Sequence, residues 1–233
     1  MDFLDLRRVY CTRTGSRRVG NGLRRRDSGR HPRCCQYWPH HSYGRCGRLS
    51  RNVGHWISTG NTNGQRGVPH LGDAVAQQVQ ADAQTAYTAA MNAGGGPSAG
   101  AAITADIGGQ TLPPGIYKAT TALGITGDLT LDGSTNPNGV WIIKVGSALT
   151  TAAGGPTTPM SRVLLIGGAK ASNVFWQIGS SATLGTYSTM QGTILAQVTI
   201  TLGTGATLNG RALALTGAVN LDSNPVNVPA TCQ

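Results

Sequence analysis

The sequence predicts a mainly β fold, a β-solenoid, for its C-terminal two-thirds, and three observations carry that prediction. From Ser172 to Asn224 the chain is a succession of short runs in which apolar residues alternate with Thr or Asn, such as Ala182-Thr183-Leu184, Val198-Thr199-Ile200-Thr201, Ala206-Thr207-Leu208 and Val219-Asn220-Leu221. Apolar residues at every second position mark strands with one buried side. Nearly every run is closed by Gly, Ser or Asn, the residues that tight corners need. Charge is scarce, with five basic and six acidic residues in 71–233, a net charge of −1. Strands so short, so closely spaced and so poor in charge suit a chain that winds round itself.

The 233-residue chain as a whole carries a formal net charge of +10, and that average hides two unlike parts. Residues 1–70 hold fourteen Arg against three Asp, a net charge of +11, together with all five His and Cys11, Cys34, Cys35 and Cys46. No strand or helix period runs through this Arg-rich, irregular segment, and so few apolar residues cannot offset the entropy of ordering it. One reading is an Arg-rich nucleic-acid arm. Another is a metal site from Cys34, Cys35, His40, His41 and Cys46, but the spacing lacks a C-x-x-C pair, and no metal is expected. A third reading accounts for more of the segment, namely that residues 1–70 are translated out of frame. Back-translating residues 34–60 and shifting by one nucleotide forces both Trp38 and Trp56 to Gly. With permitted codons elsewhere the shifted frame reads V-V-N-T-G-P-T-T-V-T-G-D-V-G-V-S-P-G-T-S-V-T-G-F-P-P-G, rich in Thr, Val and Gly like the rest of the chain. Sequencing the coding strand is expected to return this string in the shifted frame, with the frame regained near His70. A strand that does not encode it ends the idea.

A helix is predicted over residues 73–93. Asp73 is its N-cap, Ala and Gln dominate the run DAVAQQVQADAQTAYTAAMNA, and Gly94-Gly95-Gly96 followed by Pro97 stops it. Val75, Val79, Ala83, Ala86 and Ala90 fall on one stripe, opposite Gln77, Gln78, Gln80, Asp82, Gln84 and Thr85, so the helix is read as lying along a sheet and covering it. Further on, Pro113-Pro114-Gly115-Ile116-Tyr117 is a turn into a strand. Asp128-Leu129-Thr130-Leu131-Asp132-Gly133 alternates, and Val140 to Val145 is apolar enough to be buried on both sides. Runs at 148–151 and 163–166 complete the set. Asp128 and Asp132 share one side of a strand, where Asp ordinarily serves as a turn residue rather than an acid–base pair. Phe175, Trp176 and Trp141 could be taken for a sugar-stacking platform, but core packing suits their strand-rich setting better. Cys232 has no partner Cys in 71–231, so no disulfide framework is expected.

Several strings resemble one family, the microbial ice-binding proteins of the β-solenoid type. They are G-D-A-V-A at the helix start (72–76), L-P-P-G-I-Y (112–117), G-D-L-T-L-D-G (127–133), S-N-V-F-W-Q-I-G-S-S-A-T-L-G-T (172–186) and G-R-A-L-A-L-T-G-A-V-N-L-D-S-N (210–224). The similarity covers residues 71–233, and the frame-shifted string resembles the family's N-terminal segment. The resemblance implies a discontinuous, three-faced, right-handed β-solenoid (β-helix) with one long helix packed alongside, in an antifreeze protein that adsorbs to ice. It also implies a secreted or cell-surface protein, although the first eighteen residues have no apolar core of the kind an export signal needs.

The residues fit such a role. A solenoid presents outward side chains about 6.8 Å apart along a strand and about 4.8 Å apart between strands. Thr, stiff at χ1, would hold methyl and hydroxyl in fixed places across that grid. Alternation nominates Thr130, Thr150, Thr183, Thr199, Thr201 and Thr207 as outward candidates, without saying which of them share a face. The expected partner is the ice surface with its ordered water, bound by a monomer, with no cofactor, small-molecule substrate or nucleic acid. An enzyme is not expected, because residues 71–233 contain no His and no Glu. The alternative is a secreted or cell-surface adhesin or structural module on the same fold.

Overall fold

The structure, a computed structural model, describes residues 72–158 and 160–228. The readings placed on residues 1–70 and on Cys232 lie outside the described residues.

Helix α1 (Ala74–Asn92) starts where Asp73, in extended conformation, accepts the Ala76 N–H at 2.9 Å. That bond satisfies one of the donors a helix start leaves open. The buried side of the helix is Ala76, Ala83, Ala86, Tyr87 and Ala90. This corrects the predicted stripe at its first position, because Val75 is 45 % exposed and Tyr87 joins the seam. Steps of four and three from Ala76 reach Ala83, Tyr87 and Ala90, which places Val75 one position off the contact line.

Fifteen short strands follow among the described residues: β1 (Ala101–Ala102), β2 (Thr111–Leu112), β3 (Gly115–Ala119), β4 (Leu123–Ile125), β5 (Gly127–Asp132), β6 (Trp141–Val145), β7 (Leu149–Thr151), β8 (Ser161–Ile166), β9 (Val174–Ile178), β10 (Ala182–Leu184), β11 (Thr189–Ala196), β12 (Ile200–Leu202), β13 (Thr207–Ala214), β14 (Val219–Asn220) and β15 (Val226–Asn227). The pairings between them are parallel. They form two curled sheets, one of five strands in the order β14-β12-β10-β7-β4 and one of ten. The ten-stranded sheet runs β1-β3-β6-β9-β11-β8-β5-β2, with β13 beside β11 and β15 beside β13. Among the described residues the fold is mainly β and solenoid-like, with one α-helix.

The ten-stranded sheet has two arms that meet inside its longest strands. Thr189 of β11 pairs with Arg162 of β8, whereas Thr193–Ala196 pair with Phe175–Ile178 of β9. The bend falls at Gly192 and at its register partner Gly210. Gly192 has φ +102°, and a Cβ on it would lie 2.5 Å from the Val174 carbonyl oxygen. A Cβ on Gly210 would lie 1.7 Å from the Gly192 carbonyl oxygen, so successive layers touch here through bare backbone.

Between the sheets lies a core that includes Leu129, Leu131, Trp141, Ile143, Leu149, Trp176, Ile178, Leu184, Met190, Ile194, Ile200 and Leu208. The two Trp are fully buried and their indole N–H groups are satisfied, Trp141 donating to the Leu112 carbonyl at 3.0 Å and Trp176 to the Gln191 carbonyl at 2.9 Å. A second cluster joins Ala83, Ala86, Tyr87 and Ala90 of α1 to Ile142, Phe175, Leu195 and Leu215. It explains why β6 is buried on both sides, as predicted: its inner side meets the core and its outer side, Ile142 and Lys144, lies under α1. Lys144, only 3 % exposed, donates to the carbonyls of Ala93 (2.6 Å) and Gly96 (2.8 Å) just past the helix end. A cation is favourable there. Burial, and the neighbouring Lys118, hold its ammonium below the usual Lys range.

Candidate functional site

With one arm of the ten-stranded sheet under α1, two sheet surfaces have no helix over them among the described residues, and their chemistry differs. On the five-stranded sheet the side chains alternate strictly. Leu123, Ile125, Leu149, Thr151, Ala182, Leu184, Ile200 and Leu202 are buried. The residues between them face outward: Gly124, Thr150, Thr183 and Thr201, continued by Asn220. These five are register partners in one column, Gly124 with Thr150, Thr150 with Thr183, Thr183 with Thr201 and Thr201 with Asn220. Three Thr therefore stand side by side at the strand spacing of about 4.8 Å.

The positions flanking this column are small. Just before the strands come Ala122, Ala148, Ser181, Thr199 and Ala218, and just after the first four strands come Thr126, Ala152, Gly185 and Gly203. Their stacking is held by backbone bonds, including Leu149 N–H to the Ser181 carbonyl (3.0 Å), Ala182 N–H to the Thr199 carbonyl (2.9 Å) and Gly203 N–H to the Leu184 carbonyl (2.8 Å). The corner beyond is tied by side chains. The buried Thr151 hydroxyl accepts the Gly185 N–H at 2.9 Å, the Thr186 hydroxyl donates to the Gly154 carbonyl at 2.9 Å, and Asn224 donates to the carbonyls of Gly203 and Ala206. The result is a shallow, stiff surface with no charged side chain on its five strands.

The other arm of the ten-stranded sheet is neither uniform nor neutral. Asp128 forms a two-pronged ion pair with Arg162 (2.8 Å and 2.5 Å), and Leu164, Ile166, Gln191 and Asn209 share the same side. Both charges of the pair are well exposed, so it contributes little to stability. Asp132 accepts from the N–H and hydroxyl of Ser134, a turn role. No acid–base dyad is formed by Asp128 and Asp132.

The six predicted Thr thus fall on two sheets. Thr150, Thr183 and Thr201 form the ladder. Thr199 lies in the adjacent column, half-buried, with its hydroxyl against Gly217. Thr130 pairs with Thr111 and Leu164, and Thr207 pairs with Thr189, both on the ten-stranded sheet. Sequence reasoning missed the Ala and Gly columns that keep the ladder's surroundings low. Their signal is the pair of strings Ala182-Thr183-Leu184-Gly185-Thr186 and Ile200-Thr201-Leu202-Gly203-Thr204, which share T-L-G-T.

Three carboxyls are held below the usual carboxylate range. For Asp106, desolvation pushes upward but the hydrogen bonds from Thr126 and the Gly108 N–H outweigh it. For Asp128 the Arg162 hydrogen bond dominates, and for Asp132 the Ser134 side chain does. Because these folded values lie below the unfolded ones, the stability they contribute is complete above about pH 4 and is lost as pH falls through the folded values. None of the column from Gly124 to Asn220 titrates. Melting followed by circular dichroism is expected to be level from about pH 5 to pH 8 and to fall below about pH 4. A transition between pH 5 and pH 8 would contradict this.

A family model described as Ice-binding-like matches residues 49–227. The chain belongs to the ice-binding-like family. Among its relatives, an ice-binding protein of Nostoc sp. (strain HG1) is 43% identical over 157 residues, covering 66% of this chain and 54% of the relative. One of Colwellia sp is 41% identical over 126 residues, covering 54% of this chain and 46% of the relative. The chain spans about half the length of these curated relatives. The crystal structure of an ice-binding protein from the Antarctic ascomycete Antarctomyces psychrotrophicus, 41% identical, aligns with a TM-score of 0.61 over 70% of this chain and 75% of that one. The domain of Shewanella frigidimarina ice-binding protein 1, 33% identical, aligns at 0.60 over 67% and 64%. These ice-binding-like relatives are named as ice binders, not as enzymes. Among the described residues no group of three or more His, Cys, Asp or Glu is placed to hold a metal ion, and no helix is long and apolar enough to cross a membrane.

Proposed function

We propose that this ice-binding-like chain adsorbs to ice and inhibits its growth and recrystallisation, with the five-stranded sheet as the contact surface. One observation carries the assignment: Thr150, Thr183 and Thr201 stand in register, between columns of Ala, Gly, Ser and Thr, on five strands that carry no charged side chain. The reading takes the fold as a three-faced, right-handed solenoid in which α1 covers one face, the charged arm forms the second and the Thr ladder the third. It also takes the protein to act outside the cell, where ice forms.

Ice is a periodic solid, so what binds it is an array rather than a pocket. Each Thr methyl keeps water at a fixed stand-off and each hydroxyl anchors it, and the branched side chain has little rotamer freedom to lose. A single such contact is weak, but contacts in register act together, so the second and third engage at high effective concentration. Small flanking residues let a plane of water approach without meeting a protruding side chain. The names of the relatives favour this over the adhesin reading.

A recrystallisation assay on the full chain tests the function. Ice grains held in a partly frozen sucrose solution are expected to stay small at micromolar protein. Grains that coarsen as fast as in a matched albumin control contradict it.

A further inference from the structure

The Thr ladder does not run the length of its sheet, and its two ends are chemically unlike. Past Thr201 the column continues to Asn220, neutral and bonded back to the Thr201 hydroxyl at 3.3 Å. Past Thr150 it continues to Gly124, and then to Asp106, which bridges to Gly124 in parallel. One oxygen of Asp106 accepts the N–H of Gly108 (2.8 Å) and of Thr126 (3.0 Å), so the carboxylate is fixed in place beside β4. The other oxygen lies 3.4 Å from the point where a Cβ on Gly124 would sit. A fixed anion orders water about itself by its own geometry and parts with that shell only at a high cost. It is therefore a poor neighbour for a lattice of neutral water.

We propose that Gly124 and Asp106 together set the N-terminal limit of the ice-contact surface, an inference that rests on assigning that surface to the five-stranded sheet. The gap at Gly124 is not imposed by folding. Gly124 is absent from the glycines with positive φ, and a Cβ there meets nothing nearer than 3.4 Å. Elsewhere on this surface glycine is obligatory: a Cβ on Gly185 would lie 2.6 Å from the backbone of Ala152 and Ala153, and one on Gly108 would lie 1.7 Å from the Thr126 carbonyl oxygen. Gly124 is thus a position in register with Thr150 where the strand has room for a Cβ and the chain carries none. The ladder is shorter than its scaffold, and its last free place adjoins a fixed charge.

Gly124→Thr in the full chain, compared with the parent at equal molar concentration, tests the proposal. Thermal hysteresis is expected to rise about twofold as a fourth contact joins the array. It should rise further when Asp106→Asn is added, because the amide oxygen keeps both N–H bonds while the charge is removed. If the β-branched side chain lowers the melting temperature, Gly124→Ser replaces it and is expected to shift hysteresis in the same direction. A folded Gly124 variant whose hysteresis does not rise overturns the proposal. Thr183→Tyr run in parallel separates the two ideas. If it leaves hysteresis intact, the surface assignment fails and this inference with it. If it removes hysteresis while the Gly124 variants add nothing, only the inferred limit fails.

Discussion

Replacing Thr183 and Thr201 together by Tyr is expected to lower thermal hysteresis and recrystallisation inhibition about tenfold or more, while the circular dichroism spectrum and melting temperature stay close to the parent's. Neither side chain is packed in the core. Thr183 is exposed, and Thr201 is half-buried and accepts a hydrogen bond from the Asn220 side chain. Tyr is as favourable in a strand as Thr, so folding has little to lose. What changes is shape, since two rings would stand proud of a surface whose other outward residues are Thr, Asn, Ala, Ser and Gly. Water ordered over Thr150 could then no longer continue across β10 and β12. The matched control is Thr130→Tyr with Thr207→Tyr. The same chemistry on the charged arm of the ten-stranded sheet is expected to leave activity unchanged. Loss in the control with retention in the test pair would move the ice-contact surface to that arm.

The largest effect on stability is expected from a single methyl. Gly210→Ala places a Cβ 1.7 Å from the Gly192 carbonyl oxygen and 2.5 Å from its carbon, backbone against backbone in adjacent layers. No rotamer relieves that overlap, so β13 must move away from β11 along a register of eight residue pairs. The expected cost is more than about 4 kcal/mol, a fall in melting temperature on the order of 10 °C for a domain of this size. Calorimetry of Gly210→Ala beside Gly124→Ala measures it, since the second adds the same atom where nothing lies nearer than 3.4 Å. Equal melting temperatures for the two variants would mean that the layers are not stacked this closely at the bend.

The reach of sequence reasoning followed the range of the interactions involved. Asp73 as N-cap, the glycine-rich helix end and the in–out alternation of the strands are local, and the structure has each of them. Which strands share a column depends on how many residues each turn of the winding consumes, and no short window contains that. The two A-T-L runs, Ala182-Thr183-Leu184 and Ala206-Thr207-Leu208, match in sequence but are not register partners. Ala182–Leu184 lie beside Ile200–Leu202, while Thr207 lies beside Thr189. For the same reason alternation identified six outward Thr but could not divide them between two sheets. Spacing alone puts Val75 on the helix seam and leaves Tyr87 off it, because the phase of a seam is set by the surface the helix lies on. Lys144 inside an apolar run is another long-range effect. Its burial depends on the carbonyls of Ala93 and Gly96, some fifty residues earlier in the chain.

Ice adsorption itself is measured most directly by partitioning. A sphere of ice is grown slowly in a dilute solution of the fluorescently labelled full chain, and the label in ice is compared with that in the remaining liquid. The account predicts enrichment in the ice, kept by the Thr130→Tyr, Thr207→Tyr chain and lost by the Thr183→Tyr, Thr201→Tyr chain. Exclusion of the parent chain from the ice, as with an ordinary solute, would contradict the claim that this surface binds ice.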